Sequence, residues 1–148
     1  LGESTFAKSQ GKPYVMPHVR DTIQDALKRA GVNDVFEIDA IETHDCFAMT
    51  EYMAIDHFGI TEPGQSWRAI EEGEIEMGGR IPVNPSGGLI GLGHPVGATG
   101  VRMALDCFKQ TTGTAGEYQV DGAKTFATLN IGGSATTTVS LIVGTESG

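Results

Sequence analysis

Apolar positions recur along the chain in blocks whose period switches between helical and alternating. Pro17 suits the first turn of a helix. Val19, Ile23, Ala26, Leu27 and Ala30 follow at helical spacing, and Gly31 supplies a stop. The stretch Phe36 to Glu42 alternates apolar with polar and predicts a strand that runs into Thr43-His44-Asp45-Cys46. A second helix is predicted over Phe47 to Phe58, with Phe47, Tyr52 and Ile55 for packing and Gly59 at its end. A short helix over Trp67 to Glu72 follows the turn at Pro63-Gly64. Gly78 to Gly100 has no convincing period and predicts a long structured loop, with a short strand near Ile81. A third helix starts near Ala98, with Val101, Ala104, Leu105 and Phe108 on one face and Gly113 past its end. Two strands close the pattern, Lys124 to Asn130 and Ala135 to Val143, separated by Gly132-Gly133. Strands mixed with helices imply an α/β domain with a mixed sheet. The first residues, 1–12, are polar and aperiodic and read as a leader or linker, leaving 13–148 as one domain.

Composition sharpens this picture at three points. Glycine accounts for 21 of 148 residues, about twice the usual share of roughly 7%. Eight of those 21 lie between Gly78 and Gly100, so the excess belongs to particular loops and not to a repeat. A formal net charge of -9 argues against nucleic acid as a partner, since phosphate backbones attract basic patches. No apolar run approaches the roughly 18 residues of a membrane span. The chain begins at Leu1 with no signal-peptide pattern after it. A fragment, a trimmed N-terminus or a leader missing from the sequence is therefore expected, in a cytoplasmic protein, or a peroxisomal one if the source is eukaryotic.

Two residues stand out as candidates for chemistry. Cys46 falls between a predicted strand and a predicted helix, where the positive end of a helix dipole favours thiolate. His44, two residues earlier, is placed to hydrogen-bond a substrate or that thiol. Cys46 can equally be a small buried hydrophobe. His94 stands in Gly91-Leu92-Gly93-His94-Pro95-Val96-Gly97-Ala98-Thr99-Gly100. Flanking glycines permit unusual dihedrals, and Pro95 fixes its own φ, so the run presents an imidazole rigidly at a helix N-terminus. The alternative is a glycine-rich turn with an incidental histidine. Cys107 sits within the third helix and reads as core, while His57 and His18 read as surface or packing residues. Glu71-Glu72-Gly73-Glu74 is a solvated acidic face. No C-x-x-C or H-x-x-x-H pairing is present, so no metal site is expected. The glycine run departs from a dinucleotide fingerprint, because its third glycine falls one position late.

Taken together, the motifs resemble a known family. His44-Asp45-Cys46-Phe47 is similar to the HDCF motif of thiolases of the sterol-carrier-protein type. Asn84-Pro85-Ser86-Gly87-Gly88-Leu89-Ile90, followed by Gly93-His94-Pro95-Val96-Gly97-Ala98-Thr99-Gly100, resembles the NPSGGL…GHPxGATG signature. Asn130-Ile131-Gly132-Gly133 is similar to the final glycine turn. The resemblance covers the C-terminal of two similar halves and implies a βαβαβαββ core with mixed sheet and helices packed on it. It implies that Cys46 is an acid/base thiol and that His44 helps form an oxyanion hole. His94 would activate a nucleophilic cysteine of the N-terminal half and help hold the other oxyanion. Gly132 and Gly133 would offer backbone N–H groups. Asn130 stands where the better-known thiolases place their acid/base cysteine, and Gly93 completes the substrate-binding set.

The implied activity is reversible Claisen condensation or thiolytic cleavage of 3-ketoacyl-CoA. Coenzyme A thioester is then the substrate, with no covalently bound cofactor. An N-terminal thiolase half supplies the nucleophile, and a homodimer or homotetramer forms at full length. Two other readings are a thiolase-like partner subunit of an acyl-CoA or sterol side-chain enzyme, and a free-standing hydrolase using Cys46 and His94. The hydrolase lacks a recognisable third group to orient its histidine.

Overall fold

The computed structural model describes residues 11–133 and 135–145, so most of the expected leader lies outside the described residues. Helix α1 spans Pro17–Arg29 with proline in its first turn. It buries Val19, Ile23 and Leu27, four residues apart. Ala30 caps it, and Gly31 follows with φ 73. The expected strand over Phe36 to Glu42 is shorter than its alternation implies. Asp34 accepts a hydrogen bond from the Phe36 N–H at 3.0 Å and folds Val35–Glu37 into a 3-10 turn. Strand β1 is Ala40–Thr43, and its ladder begins where Ala40 meets Phe126.

Helix α2 is Ala48–Phe58, stopped by Gly59 at φ 90. Phe47 is its N-cap and stands 73% exposed, so it does not pack in the core as expected. Helix α3 covers Ser66–Glu71. Helix α4, Gly88–Leu92, lies in the segment predicted as loop, and the strand expected near Ile81 reduces to one parallel bridge between Ile41 and Val83. Helix α5 is Thr99–Thr111. Strands β2 (Thr125–Gly132) and β3 (Thr137–Gly144) form the closing hairpin.

The sheet order is β1-β2-β3, with β1 parallel to β2 and β2 antiparallel to β3. The two faces of β2 follow the period of two. Ala127 and Leu129 join α1, α2 and Ile41 in the larger apolar core. Phe126 packs with Ala40 and Cys107 on the opposite side, where α5 lies. The domain is therefore a mixed sheet between helices, the architecture expected from the motifs. All four β1 residues are buried, because β2 flanks one edge and the Val83 bridge the other. That removes Glu42 from water despite its place in an alternating run.

Helix α5 reverses its expected orientation. Val101, Leu105 and Phe108 are exposed, while Met103, Cys107 and Gln110 are buried. The apolar stripe seen in the sequence thus faces outward, and a polar-bearing face packs on the sheet. With Val139 and Leu141 of β3 also exposed, apolar side chains stand uncovered on both α5 and the outer strand.

Two glycines of α4 separate conformational demand from simple flexibility. Gly88 has φ 62, and a Cβ there would overlap the carboxylate of buried Asp45. Gly91 has open space around its Cβ position and no left-handed φ. Gly88→Ala should therefore destabilise the chain by about 2 kcal/mol or more. Gly91→Ala should be neutral or stabilise by up to about 1 kcal/mol, as helix propensity favours alanine. Urea unfolding of the two variants checks this, and equal effects would contradict the Asp45 contact.

Candidate functional site

Three segments meet beyond the carboxyl ends of the parallel strands β1 and β2, where open α/β sheets commonly hold ligands. The turn after β1 delivers His44 and Cys46, the loop before α5 delivers His94, and the end of β2 delivers Asn130, Gly132 and Gly133. All six line one cleft of about 870 Å³. Met16, Phe47, Met53, Val96 and Val139 add apolar walls. Gly93 is the exception among the expected site residues, since it does not line the cleft. It caps the end of α4 with φ 97 and ψ 164, and so turns the chain into His94.

His44 and His94 face each other edge-on, with ring centroids 4.9 Å apart and planes at 90°. His44 is buried at 8% exposure, whereas His94 is half-buried. Burial holds the His44 imidazole below the ordinary histidine value; the neighbouring His94 lowers it further and Asp45 opposes. The His94 Nδ1 lies 2.7 Å from the Thr99 hydroxyl. Thr99 is 2% exposed at the start of α5, and its oxygen also lies 3.2 Å from the Pro95 carbonyl. Cys46 is half-buried, directly before the N-cap of α2. One thiol and two imidazoles with different surroundings can thus act on the same bound group.

Buried acids hold these segments in place. Asp45 accepts a hydrogen bond from the Leu89 N–H at 2.6 Å, tying the His44–Cys46 turn to α4. Glu42 accepts from the Ser86 N–H at 3.1 Å and from its hydroxyl at 2.7 Å. The same hydroxyl accepts from the Gly88 N–H and from Arg102 Nη1, which also donates to Asp106 at 2.7 Å. Burial pushes the Glu42 carboxyl up to about 7, against the Ser86 hydrogen bonds that favour its charge. Asn84, at φ 53, accepts from the Thr43 N–H at 2.7 Å and donates to Glu51 at 3.3 Å. The NPSGG run is therefore a clamp on the end of β1.

Sequence reading passed over Thr99, Asp45, Glu42 and Arg102. Thr99 and Asp45 stand inside the motifs, next to the residues that drew attention. Only the fold aims them at those residues. His57, read as a surface or packing residue, is fully buried. Its Nδ1 lies 2.6 Å from both Asp56 and the Met53 carbonyl, and its Nε2 accepts from the Met16 N–H at 3.1 Å. It thereby fixes Met16 in the cleft wall. Cys107 is core, as expected, and burial raises its thiol to about 12, with Glu42 and Asp106 adding to the rise.

Asn130 lies on the α5 side of β2, and its Nδ2 is 3.0 Å from the Met103 sulfur. Gly133 turns with φ 55 in close contact with Thr136. Among the described residues, no cluster of His, Cys, Asp and Glu could hold a metal ion, and no helix is long and apolar enough to cross a membrane.

The fold is thus a layered α/β domain with a thiol and two histidines at its strand ends. Residues 3–145 match the family model described as thiolase C-terminal domain-like, and the chain belongs to that family. It is 46% identical over 101 residues to an acetyl-CoA acetyltransferase of Methanothermobacter thermautotrophicus, covering 68% of this chain and 26% of that protein. It is 43% identical over 96 residues to sterol carrier protein 2 of Bos taurus, covering 65% of this chain and 18% of that protein. The chain thus matches about a quarter or less of these relatives' lengths. A solved structure titled Ltp2-ChsH2(DUF35) aldolase shares the fold, with a TM-score of 0.76 and 23% identity over 86% of this chain and 32% of that one.

The setting of His44 predicts its titration. Its folded value lies below the ordinary 6.5, so protonation in the fold is disfavoured. The stability tied to neutral His44 is present above 6.5 and is lost as pH falls through the lower folded value. An NMR titration should find His44 still neutral when an exposed histidine is half protonated. His94→Gln should raise the His44 value part of the way, because burial remains.

Proposed function

We propose that this chain is the C-terminal catalytic half of a thiolase acting on acyl-CoA. The observation that carries the reading is the convergence of Cys46, His44 and His94 in one cleft with the Gly132–Gly133 turn. In the condensation direction the Cys46 thiolate takes a proton from the α-carbon of acetyl-CoA. The resulting enolate oxygen is held by the His44 imidazole, which lowers the cost of the developing charge. The enolate carbon then attacks an acyl group carried as a thioester on a cysteine of the N-terminal half. A carbon–carbon bond forms, and that cysteine leaves as thiolate. Thiolysis runs the same steps backward, with Cys46 returning the proton to the α-carbon and the acyl group then passing from the partner cysteine to the thiol of a second coenzyme A.

His94 prepares the partner cysteine by accepting its proton. Backbone N–H groups of Gly132 and Gly133 approach the acyl oxygen, and Asn130 shapes the wall where a second thiol would otherwise stand. The uncovered apolar residues Val101, Leu105 and Phe108 support docking of the other half against α5. The relative named acetyl-CoA acetyltransferase supports the reading that coenzyme A thioesters are the substrates. A second reading is a thiolase-like subunit that supports another acyl-CoA or sterol side-chain enzyme without thiolysis of its own; it draws on relatives named for carrying sterols and not for acyl transfer.

The test uses the full-length protein that carries this chain. Cys46→Ala should slow exchange of the acetyl-CoA α-protons into heavy water by about 10²- to 10⁴-fold, the usual worth of a positioned acid/base group. Normal exchange in that variant would remove Cys46 from its role. No exchange or thiolysis in the unmodified protein, with a stable partner enzyme co-purifying, would select the subunit reading.

A further inference from the structure

His44 and His94 share a cleft wall, yet their ring nitrogens meet different surroundings. His94 Nδ1 is paired with Thr99 Oγ1 at 2.7 Å, which leaves Nε2 available to a ligand. The Thr99 hydroxyl carries one proton, and the Pro95 carbonyl, 3.2 Å away, can only accept it. With that proton on Pro95, the oxygen offers His94 a lone pair. The complementary state of the ring is Nδ1–H. An accepting hydroxyl has the further property of suiting both states of a base, because Nδ1 keeps its proton whether or not Nε2 gains one. A donating hydroxyl would have to turn around each time the ring was protonated.

His44 presents the opposite case. Its Nδ1 is buried with no hydrogen-bond partner among the described residues. An orphaned N–H is rarer in protein interiors than an orphaned lone pair. The favoured arrangement therefore puts the His44 proton on Nε2. We infer that Thr99 is a positioning residue that fixes His94 as its Nδ1–H tautomer while His44 stands as Nε2–H, so that the cleft meets one ring acceptor and one ring donor. The division rests on, and deepens, the acyl-transfer reading. A neutral His94 accepts the thiol proton at Nε2, and His44 already carries the N–H that an enolate oxygen needs. His94 becomes a second donor only after it has taken that proton.

Nitrogen-15 NMR of the histidine rings in the full chain reads both tautomers without substrate, at a pH well above the usual histidine value of about 6.5. Failure here is therefore separate from failure of the acyl-transfer reading. His57 is an internal reference for the Nδ1–H pattern, because its Nε2 accepts from the Met16 N–H. His94 should match His57, and His44 should give the Nε2–H pattern. Thr99→Ser should leave His94 unchanged. Thr99→Val should move it to majority Nε2–H, the tautomer a free histidine side chain favours in water, with the His57 pattern intact. An Nε2–H pattern for His94 in the unmodified chain would overturn the proposal, since the hydroxyl would then be donating to Nδ1. An unchanged His94 in Thr99→Val would overturn the part played by Thr99. Loss of the His57 pattern in both Thr99→Val and Thr99→Ala would do the same, by reducing Thr99 to a packing role.

Discussion

The hydrogen bond from the Leu89 N–H to the buried Asp45 carboxylate, at 2.6 Å, joins the two motifs on which the site depends. Asp45 sits between His44 and Cys46 in the chain, and Leu89 lies in the first turn of the short helix that leads to Gly93 and His94. An unpaired carboxylate in that interior would be costly, so the turn and α4 are held together by the need to satisfy it. Glu42, within β1, repeats the arrangement, receiving both the N–H and the hydroxyl of Ser86. Two acids on one short segment thus set the distance between a thiol and a histidine that lie 48 positions apart in the sequence.

This constraint gives the glycine excess a physical meaning. Gly88 cannot carry a Cβ without striking Asp45, so glycine is needed there for close approach. Gly93 has a different task, adopting φ 97 where the chain leaves α4 and presents His94. Gly31 and Gly59 only end helices. Glycine therefore serves two purposes, and within the dense stretch from Gly78 to Gly100 it is Gly88 that lets backbone fit against a buried acid.

The surface carries a second consequence of the same economy. Helix α5 uses Arg102, Asp106 and Gln110 to satisfy polar groups on the inside, so part of its apolar stripe faces outward. A helix that buries hydrogen-bonded polar groups and exposes Val101, Leu105 and Phe108 has one packed face and one apolar face left uncovered in this chain. Burial on the sheet side follows from the Glu42–Ser86–Arg102–Asp106 network, and it puts the N-terminal turn of α5, with Thr99, under His94.

The sequence by itself determined the helices α1, α2, α3 and α5, the closing hairpin and the identity of the motif residues. Their signals are local: a proline start, a glycine stop, a period of four or of two. Family resemblance also marked Cys46, His44, His94, Asn130, Gly132 and Gly133, and the fold brings all six to one cleft. Tertiary structure alone decided the rest. The strand over Phe36 to Glu42 shrank because Asp34 capped a turn and because β1 extends only where β2 can pair with it. Helix α4 formed in a glycine-rich run because Asp45 accepts the Leu89 N–H, a contact between residues 44 positions apart. The outward face of α5 and the pairing of Thr99 with His94 likewise depend on which side chains lie opposite. Periodicity reports what a segment can bury; only the assembled neighbours determine which polar groups must be satisfied and where.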